Sequence, residues 1–439
     1  MSSPRLESGK IKWVFSKAHL KIMSWWAKGS PVAAYEGIIL DGTVRSGKTL
    51  PGICSYVLWA FDRFRAPQQF IIAGKTIGAL RRNVIKPLKM ASASIGVRVV
   101  EKRADNLLQV VDAFGVCHEF VLFGGNDERS QDLVQGYTAA GAFFDEVPLM
   151  PRSFVDQALT RLSVEGATMW FTCNPASPKH WFMTDFIKKA SDKRLLYLHL
   201  TMDDNLSLPQ SVKDRLKRMF SGVFYRRYIL GEWCLAEGLV YSGFDHESMV
   251  VDDPDDLSVY DTIILGADYG VQNPMVYLML GHRSDPDRWE VVREYFYDGR
   301  GVDRQKTDAQ YYADLEAFAG GTIAQEIDID PSATSLIAAI KQSRRFRPVH
   351  ANNSVLPGIQ FTATLFQLGK LVVCRSCVNT LRELDTYSWD TKKSESGVDV
   401  PLKVDDHTMD ALRYAANTHI RRYSRRYGIV YSAPSEEAA

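Results

Sequence analysis

The sequence predicts two consecutive α/β domains, and three observations support this fold class. The chain has 439 residues, which is too long for a single ordinary hydrophobic core. Its first half alternates strand-like and helical stretches, which is typical of a mostly parallel sheet. A second series of such elements follows an acidic, glycine-containing stretch at 237–257. We therefore predict a first domain over 1–236, a linker over 237–257, a second domain over 258–428 and a disordered tail over 429–439.

The predicted elements follow the hydrophobic pattern in chain order. In the first domain we expect strands at 38–40 and 70–73, a helix from 76, a hairpin of 107–111 with 119–123, a strand at 139–144, a helix at 154–162, strands at 169–172 and 195–200, and a basic helical region at 209–228. In the second we expect strands at 263–268, 275–280 and 291–297, a helix at 311–318, a strand at 327–330, a helix at 335–342, a strand at 371–373 and a long helix at 407–421.

The residues between the first strand and the first helix match the phosphate-binding P-loop pattern at every fixed position. They are Gly42, Thr43, Val44, Arg45, Ser46, Gly47, Lys48 and Thr49. Glycines let the backbone curl so that its N–H groups face phosphate oxygens. Lys48 would supply charge to the β/γ oxygens and Thr49 a hydroxyl to Mg²⁺. A glycine turn with a surface lysine is the alternative; the strand–loop–helix setting favours a P-loop NTPase domain that binds a nucleoside triphosphate with one Mg²⁺.

Polar residues follow two later strands of the first domain. Asp145 and Glu146 end the strand at 139–144, which we expect beside the P-loop strand; Asp145 would hold Mg²⁺ and Glu146 would polarise the attacking water. Thr172 and Asn174 end the strand at 169–172 and are candidates for γ-phosphate contact. A solvated loop and an ordinary strand-end turn are the alternatives for these pairs.

Charge developing in phosphoryl transfer also calls for an arginine. Arg45 lies inside the P-loop and ranks first, ahead of Arg81, Arg82 and Arg161. Each of these arginines taken alone has a surface position as its alternative.

The second domain places carboxylates at the ends of elements. Asp268 and Asp330 end two strands, and Asp410 lies on the last helix with His407 on the same face. Three carboxylates from two strands and a helix can hold two Mg²⁺ or Mn²⁺ ions, as in phosphodiester cleavage, and their order indicates an RNase H-like α/β nuclease domain. Asp328 leaves the second ligand open.

A cap or a turn is the alternative role for each of these aspartates, and Asp406 fits the N-cap of the last helix better than a metal site.

Composition narrows the function classes. The net charge of +1 provides no global field for nucleic acid, so any basic groove must be local. Cys374 and Cys377 form a lone C-x-x-C after a predicted strand, which favours two reduced structural thiols over zinc. We find no apolar run that spans a bilayer and no signal peptide, and we expect an intracellular protein without a membrane partner.

These motifs together resemble the large terminase subunit of tailed bacteriophages, especially its shorter, headful-type group. The resemblance extends from about Ile38 to Tyr414 and includes the segment at 224–233 and the stretch P-L-K-V-D-D-H-T-M-D-A-L-R-Y at 401–414. It implies an ATP-driven packaging motor with a metal-dependent endonuclease, whose metal ligands are Asp268, Asp330 and Asp410 with His407 beside them. One departure is the lack of a glutamine upstream of the P-loop; the first is Gln68.

The same resemblance implies the partners: double-stranded DNA, a portal protein, a small terminase subunit and a homo-oligomeric ring on the procapsid, in the host cytoplasm. Candidate phosphate-gripping regions are the basic residues at 213–227 and the tail at 421–426, with a solvated charged face as the alternative and portal docking as another role for the tail. A helicase-like repair ATPase with a fused nuclease and a non-enzymatic scaffold are the rival functions.

Overall fold

The computed structural model describes residues 14–270, 274–299, 306–322, 324 and 326–424. Contacts divide the chain into two compact units. The first takes the described residues up to Arg215 together with Arg226–Leu235, and the second takes Leu216–Tyr225 and the described residues from Ala236 onward. The chain therefore crosses between the units after residues 215, 225 and 235, not once through a linker. The predicted tail at 429–439 lies outside the described residues.

The first unit contains a mixed set of strands and short helices. Its strands are β1 (Gly37–Gly42), β2 (Gln69–Gly74), β3 (Val97–Lys102), β4 (Leu107–Asp112), β5 (Cys117–Gly124), β6 (Gly141–Phe144), β7 (Thr168–Thr172) and β8 (Leu195–Leu200). Its helices are α1 (Lys17–Ser24), α2 (Thr49–Arg63), α3 (Ile77–Leu80), α4 (Lys86–Ala91) and α5 (Arg152–Leu159), with π-helical segments at Arg81–Ile85 and Met183–Ile187.

These strands form one sheet in the order β3-β4-β5-β2-β6-β7-β1-β8. All pairs from β5 to β8 are parallel, and β3, β4 and β5 pair antiparallel. The mostly parallel sheet and the β4–β5 hairpin were predicted; β3 was not. The expectation that the strand of Asp145 lies beside the P-loop strand is wrong, because β7 lies between β6 and β1.

Successive apolar side chains of β1 pack into different clusters, and this sheet is therefore buried on both faces. Ile38 and Leu40 join one apolar cluster, and Ile39 joins the other. Side chains of successive strand residues point to opposite faces, so a run of apolar residues needs cover on both sides. The polar groups are thereby confined to the strand ends, where the candidate nucleotide site lies.

The predicted basic helical region is two helices, α6 (Gln210–Met219) and α7 (Gly222–Tyr228). The break lies at Gly222, whose φ of 53° is left-handed and suits glycine. Leu216–Tyr225 belong to the second unit, which corrects the predicted boundary at 236.

The second unit also contains one sheet with helices. Its strands are β9 (Val250–Val251), β10 (Thr262–Asp268), β11 (Met275–Ser284), β12 (Asp287–Tyr297), β13 (Glu326–Ile329), β14 (Arg347–His350) and β15 (Leu371–Cys374). Its further helices are α8 (His246–Met249), α9 (Asp308–Ala319), α10 (Thr334–Ser343), α11 (Val355–Gln367), α12 (Val378–Thr386), α13 (Thr391–Glu395), α14 (His407–Ala415) and α15 (Arg421–Tyr423), with a π-helical segment at Ala416–Ile420. Across the described ranges, no helix combines the length and apolar character needed to cross a membrane.

The second sheet has the order β14-β13-β10-β11-β12-β15-β9. β10, β11 and β12 pair antiparallel, whereas β13 lies parallel to β10 on its other side and β14 parallel to β13. α14 packs on β10 and β13. The predicted fold class, a mostly parallel P-loop α/β domain followed by an RNase H-like α/β domain, is confirmed.

The predicted linker at 237–257 is part of the second unit. It contributes β9, which pairs with β15 at the edge of the sheet. Val240 and Tyr241 are buried, and Val240 donates its backbone N–H to Tyr387 O (2.8 Å). Burial of apolar side chains holds this segment against the unit despite its acidic, glycine-containing composition.

Candidate functional site

The P-loop connects the end of β1 to the start of α2 and is tightly curled. Gly42, Arg45 and Gly47 have positive φ values of 139°, 59° and 81°. A side chain at Gly42 would collide with Leu200 O, 1.8 Å from the ideal Cβ position. The loop therefore requires glycine there for both conformation and space.

Lys48 lies at the centre of this loop and is 5% exposed. Its Nζ donates to Gly42 O (3.4 Å) and Thr43 O (3.2 Å), and to the side-chain oxygen of Asn174 (2.6 Å). In this structure the ammonium thus binds neutral oxygens of its own loop and of the residues after β7.

Two of the predicted phosphate-binding residues use their amides elsewhere. The N–H of Thr43 donates to Leu200 O (2.9 Å) and that of Val44 to Tyr228 O (3.1 Å). By contrast, Thr43 Oγ1 and Ser46 Oγ are buried and, within the described residues, lack a partner. Unpaired buried donors suit phosphate oxygens, so the fit to a nucleotide rests on the hydroxyls, Lys48 and the later part of the loop.

Asn174 connects Lys48 to the predicted catalytic carboxylate. Its side-chain N–H₂ lies 2.8 Å from both carboxylate oxygens of Glu146. Glu146 has a left-handed backbone (φ 54°), and its N–H donates to Thr172 Oγ1 (3.0 Å). The Thr172 hydroxyl in turn donates to Asp145 (2.9 Å). Strand ends separated by β7 are thus brought together by the residues that follow β7 itself.

The pKa values of both carboxylates of this pair are raised, so their charged forms are disfavoured. Burial, followed by the negative charge of Glu146, raises the pKa of Asp145 to about 7. Burial also raises the pKa of Glu146, although the charge of Lys48 and the Asn174 amide oppose the rise. A buried acidic pair with excess negative charge suits a hard divalent cation with oxygen ligands. Asp145 and the Thr49 hydroxyl at the start of α2 would hold it.

The arginine candidates separate in the structure. Arg81 is held by Glu101 (2.8 Å), Asn106 and Arg103 O, which commits it to a structural role. Arg82 is exposed, and Arg161 donates to Thr160 Oγ1 (3.2 Å). Arg45 is exposed on the P-loop and stays the first candidate.

Residues distant in the sequence also support the loop, and no sequence pattern predicted them. His19 is buried in α1, and its Nε2 lies 2.9 Å from Ser46 O. The Asn205 side chain donates to Arg45 O (2.8 Å). No local motif marks these residues, because only the folded chain brings them to the P-loop.

The second candidate site lies at the end of β10. His407 Nδ1 lies 2.9 Å from Asp268 Oδ2, and the Tyr414 hydroxyl donates to Asp330 (2.9 Å). Asp410 accepts from Lys403 (2.9 Å) and Arg413 (2.8 Å), one on each carboxylate oxygen. Each carboxylate is therefore balanced by its own donor in this structure.

The negative charges of all three carboxylates act on the Tyr414 phenol. Burial and then the negative charges of Asp410, Asp268 and Asp330 raise the pKa of this phenol. Burial, with the charge of Asp410, likewise raises the pKa of Asp268, although His407 opposes this rise. Hydrogen bonds from Ser332, Tyr414 and Asn353 outweigh burial at Asp330 and lower its pKa.

Asp330 accepts a hydrogen bond from the Tyr414 hydroxyl, and the negative charges of Asp268 and Asp410 also act on that hydroxyl. Among the described residues, no three His, Cys, Asp or Glu side chains already form a group able to hold a metal ion. The oxygen-only donors suit Mg²⁺ or Mn²⁺, and an ion at Asp410 would have to exchange with Lys403. The residues fit such ions through rearrangement of existing ion pairs.

The register of the sheet separates the two candidates for the second ligand. Gly266 pairs with Asp328 and Ala267 with Ile329, so Asp330 follows on beside Asp268. Asp328 is 1% exposed, its two carboxylate oxygens have no partner within the described residues, and burial raises its pKa to about 8. Geometry favours Asp330.

Asp406 stands at the N-cap position of α14, as predicted, but its side chain does not cap the helix and lies 2.9 Å from Lys403. Glu383, from α12, accepts instead from the N–H groups of Thr408 (2.7 Å) and Met409 (3.4 Å). The cap comes from another helix, which a local sequence motif cannot reveal.

Cys374 and Cys377 are buried free thiols, and Cys377 donates to Val291 O (3.4 Å). Burial raises the pKa of both. They are placed as parts of the apolar interior.

Known proteins match both parts of the chain. The family model described as "Terminase large subunit, T4likevirus-type, N-terminal" matches residues 39–248. The large terminase subunit of Escherichia phage T5 is 26% identical over 247 residues, and the chain spans about half the length of this curated relative (55%), using 54% of its own.

A solved structure matches almost the whole chain. The large terminase of a thermophilic bacteriophage is 48% identical, with a TM-score of 0.88 over 93% of this chain and 100% of that one. The same phage protein was solved with ADP (48% identity, TM-score 0.85, 92% and 100% coverage) and with ATP-γ-S (47%, 0.85, 93% and 100%). At that identity over that coverage, the chain belongs to the phage large terminase family.

Proposed function

We propose that this chain is the motor subunit that packages a phage genome: it hydrolyses ATP to move double-stranded DNA into a procapsid and cuts that DNA at a separate metal site. The observation that carries the proposal is the contact series Lys48–Asn174–Glu146 beside a full P-loop. A second carboxylate group lies on a different sheet in a different unit. The terminase of the thermophilic phage, solved with ADP and ATP-γ-S, supports nucleotide binding.

In the nucleotide site, the triphosphate would replace neutral oxygens around Lys48. Charge-assisted contacts to phosphate are stronger than contacts to carbonyls, so Lys48 would leave Gly42 O and Thr43 O for the phosphates. Mg²⁺, when bound by Thr49 and Asp145, would neutralise charge on the β/γ oxygens. Glu146, held by the Asn174 amide, orients and polarises the attacking water, and Arg45 faces the developing charge.

In the nuclease site, Asp268, Asp330 and Asp410 are the proposed ligands. Two Mg²⁺ or Mn²⁺ ions, when bound, would activate water and stabilise the leaving 3′ oxygen. His407 orients Asp268 through Nδ1, and Tyr414 orients Asp330. Lys403 pairs with Asp410 and would have to leave it if an ion were bound there.

Some of the basic residues predicted to contact DNA are already engaged in contacts within the protein. Arg227 is 5% exposed and donates to Cys234 O (3.1 Å through Nε), so it holds its own segment. Lys213 pairs with Asp203 (2.8 Å). Arg215, Lys217 and Arg218 are exposed on α6 and remain candidates for phosphate contact. The tail candidates Arg425 and Arg426 lie outside the described residues.

We further propose that the subunit works as a ring on the portal, with the small terminase subunit, in the host cytoplasm. A strand-displacement assay separates this motor from a helicase-like repair enzyme, because a packaging motor moves the duplex intact.

Two substitutions test the two-site proposal. Glu146→Gln removes the carboxylate that polarises water and should lower ATP turnover at least about 1000-fold, without affecting metal-dependent digestion of plasmid DNA. Asp268→Asn should abolish digestion and leave ATP turnover unchanged. Phosphate release and plasmid digestion measure the two activities.

Exposed carboxylates supply matched controls. Glu36→Gln and Asp385→Asn alter the exposed pairs with Arg194 and His246 and should change neither activity. If either test variant loses both activities while its circular dichroism and melting match wild type, the two-site proposal is wrong.

A further inference from the structure

Asp41, which directly precedes the P-loop, is a buried carboxylate that no nucleotide contact explains. It is 0% exposed. Its Oδ2 accepts from the Tyr197 hydroxyl (2.7 Å) and lies 2.9 Å from His199 Nδ1, both on β8. Its Oδ1 accepts from the Trp233 indole N–H (3.2 Å) and the Cys173 thiol (3.6 Å). A buried carboxylate needs such compensation, and here it comes from three separate segments of the chain.

One of those segments is Arg226–Leu235, which we call the strap. It belongs to the first unit, whereas the residues on both sides of it, Leu216–Tyr225 and Ala236 onward, belong to the second. Any displacement of the strap therefore acts on two covalent connections to the second unit. This connectivity makes the strap the part of the first unit best able to pass a change of position onward.

The strap contacts the P-loop at two points and Asp41, just before the loop, at a third. Tyr228 O accepts the N–H of Val44 (3.1 Å), and Trp233 donates to Asp41. Gly231 has a φ of 76°, and its ideal Cβ position lies 2.8 Å from the His199 ring and 3.3 Å from the Thr43 methyl. Backbone, side chain and close packing thus all join the strap to residues 41–44.

The strap is also held closed internally. Arg226 pairs with Glu232 (2.9 Å), and the Glu232 N–H donates to Arg226 O (3.0 Å). Arg227 donates to Cys234 O. A segment cross-linked in this way moves as one piece more readily than an extended chain.

Nucleotide binding would change the hydrogen bonds of P-loop residues that adjoin the strap contacts. Lys48 donates to Gly42 O and Thr43 O, which adjoin Asp41 and Val44 in the chain. When Lys48 turns to phosphate, these carbonyls lose their donor. Binding of phosphate by Lys48 would therefore change the contacts of the backbone next to Asp41 and Val44.

We propose that Asp41 and Trp233 are positioning residues that tie the strap to the P-loop, so that the strap passes the difference between triphosphate and diphosphate states to the second unit. This inference rests on the proposed ATPase function and adds to it a route from hydrolysis to movement. Neither residue is assigned a contact with nucleotide.

Hydrogen–deuterium exchange of the full chain tests the proposal, with ATP-γ-S and ADP as probes. In wild type, amides in 226–235 should exchange at rates that differ on the order of fivefold between the two nucleotides, the effect of one hydrogen bond on a local opening equilibrium. Trp233→Phe removes the indole donor and keeps an aromatic ring. It should reduce the difference to less than about twofold, with basal ATP turnover retained and its stimulation by DNA lost.

Trp181→Phe is the matched control. Trp181 packs on Phe182 and Phe186 in the same unit, and its replacement should leave both the exchange difference and the stimulation unchanged. If Trp233→Phe does not fold, Asp41→Asn, which removes the charge and keeps the shape, should give the same loss of response.

The outcomes separate the two proposals. A folded Trp233→Phe protein that keeps the nucleotide-dependent exchange and the DNA stimulation overturns the strap proposal and leaves the ATPase intact. A wild type that hydrolyses ATP without any exchange difference in 226–235 overturns it as well. A wild type with no ATP turnover overturns the proposed function itself.

Discussion

At the scale of single residues, the side chain of Asn174 bonds a cation and an anion at the same time. Its oxygen accepts from Lys48, and its N–H₂ faces both oxygens of Glu146. A primary amide is planar with an acceptor at one edge and donors at the other, so it can lie between a cation and an anion and satisfy both. This arrangement makes Asn174 sensitive to whatever Lys48 binds.

Asn174→Ala should lower the kcat for ATP hydrolysis about 100-fold, because Glu146 loses its orienting donor. Nucleotide affinity should change little, since Lys48 and the loop remain. Steady-state kinetics would measure kcat, and binding of fluorescent ADP would measure nucleotide affinity. A variant with kcat within about twofold of wild type would show that the amide does not position Glu146.

Asn174→Asp provides the matched comparison. It keeps an acceptor for Lys48 and places a second carboxylate against Glu146. Like charge raises the pKa of Glu146 further, so the ionised form would require higher pH. Its pH–rate profile should therefore shift upward relative to wild type.

At the scale of elements, α14 shows how one helix organises the second candidate site. It places His407 against Asp268 at the end of β10 and Tyr414 against Asp330 after β13, and it also carries Asp410. Its first turn is capped by Glu383, which is 0% exposed. Because the free N–H groups of a helix end need partners, the position of the turn that carries His407 and Asp410 depends on a carboxylate from α12.

Glu383→Ala should destabilise the second unit by roughly 2–3 kcal/mol, because it leaves two N–H groups and the Thr408 hydroxyl buried without an acceptor. It should also weaken Mn²⁺ binding, since the first turn of α14 holds His407 and Asp410. Urea unfolding and Mn²⁺ titration measure the two effects.

Glu383→Gln is the control, because its amide oxygen can still accept these hydrogen bonds. It should cost less than half as much stability and keep most of the Mn²⁺ affinity. Equal losses in the two variants would mean that the negative charge of Glu383, and not the cap, is what α14 requires.

At the scale of the whole molecule, each candidate site lies within one unit. The candidate nucleotide site belongs to the first unit, and Asp268, Asp330 and Asp410 belong to the second. A ligand that binds only the native form of one unit stabilises that unit by mass action. The two ligands should therefore act on different parts of an unfolding curve.

Differential scanning calorimetry should show two transitions, one raised by Mg·ADP and the other by Mn²⁺. At 100 times the dissociation constant, each ligand should add about 2.7 kcal/mol to its own unit. Lys48→Ala should abolish the first shift and Asp268→Asn the second. A single transition that responds to both ligands would contradict independent sites.

Much of the fold and of the two candidate sites could be predicted from the sequence, because local patterns of residues specify them. Apolar runs specify buried strands, a glycine-rich loop with Lys48 and Thr49 specifies a phosphate site, and carboxylates at strand ends accumulate on one edge of a sheet. The fold class, most elements and the residues of both candidate sites followed from such patterns, without any knowledge of which elements touch.

Only the tertiary structure decided which residues work together. Strand order placed β7 between Asp145 and the P-loop and so made Asn174 the bridge; sheet register favoured Asp330 over Asp328; packing made Glu383 the cap and assigned the strap to the first unit. These relations join residues far apart in the chain. The contacts between these residues are stabilised by burial and by hydrogen bonds between different elements, and no local stretch of sequence encodes them.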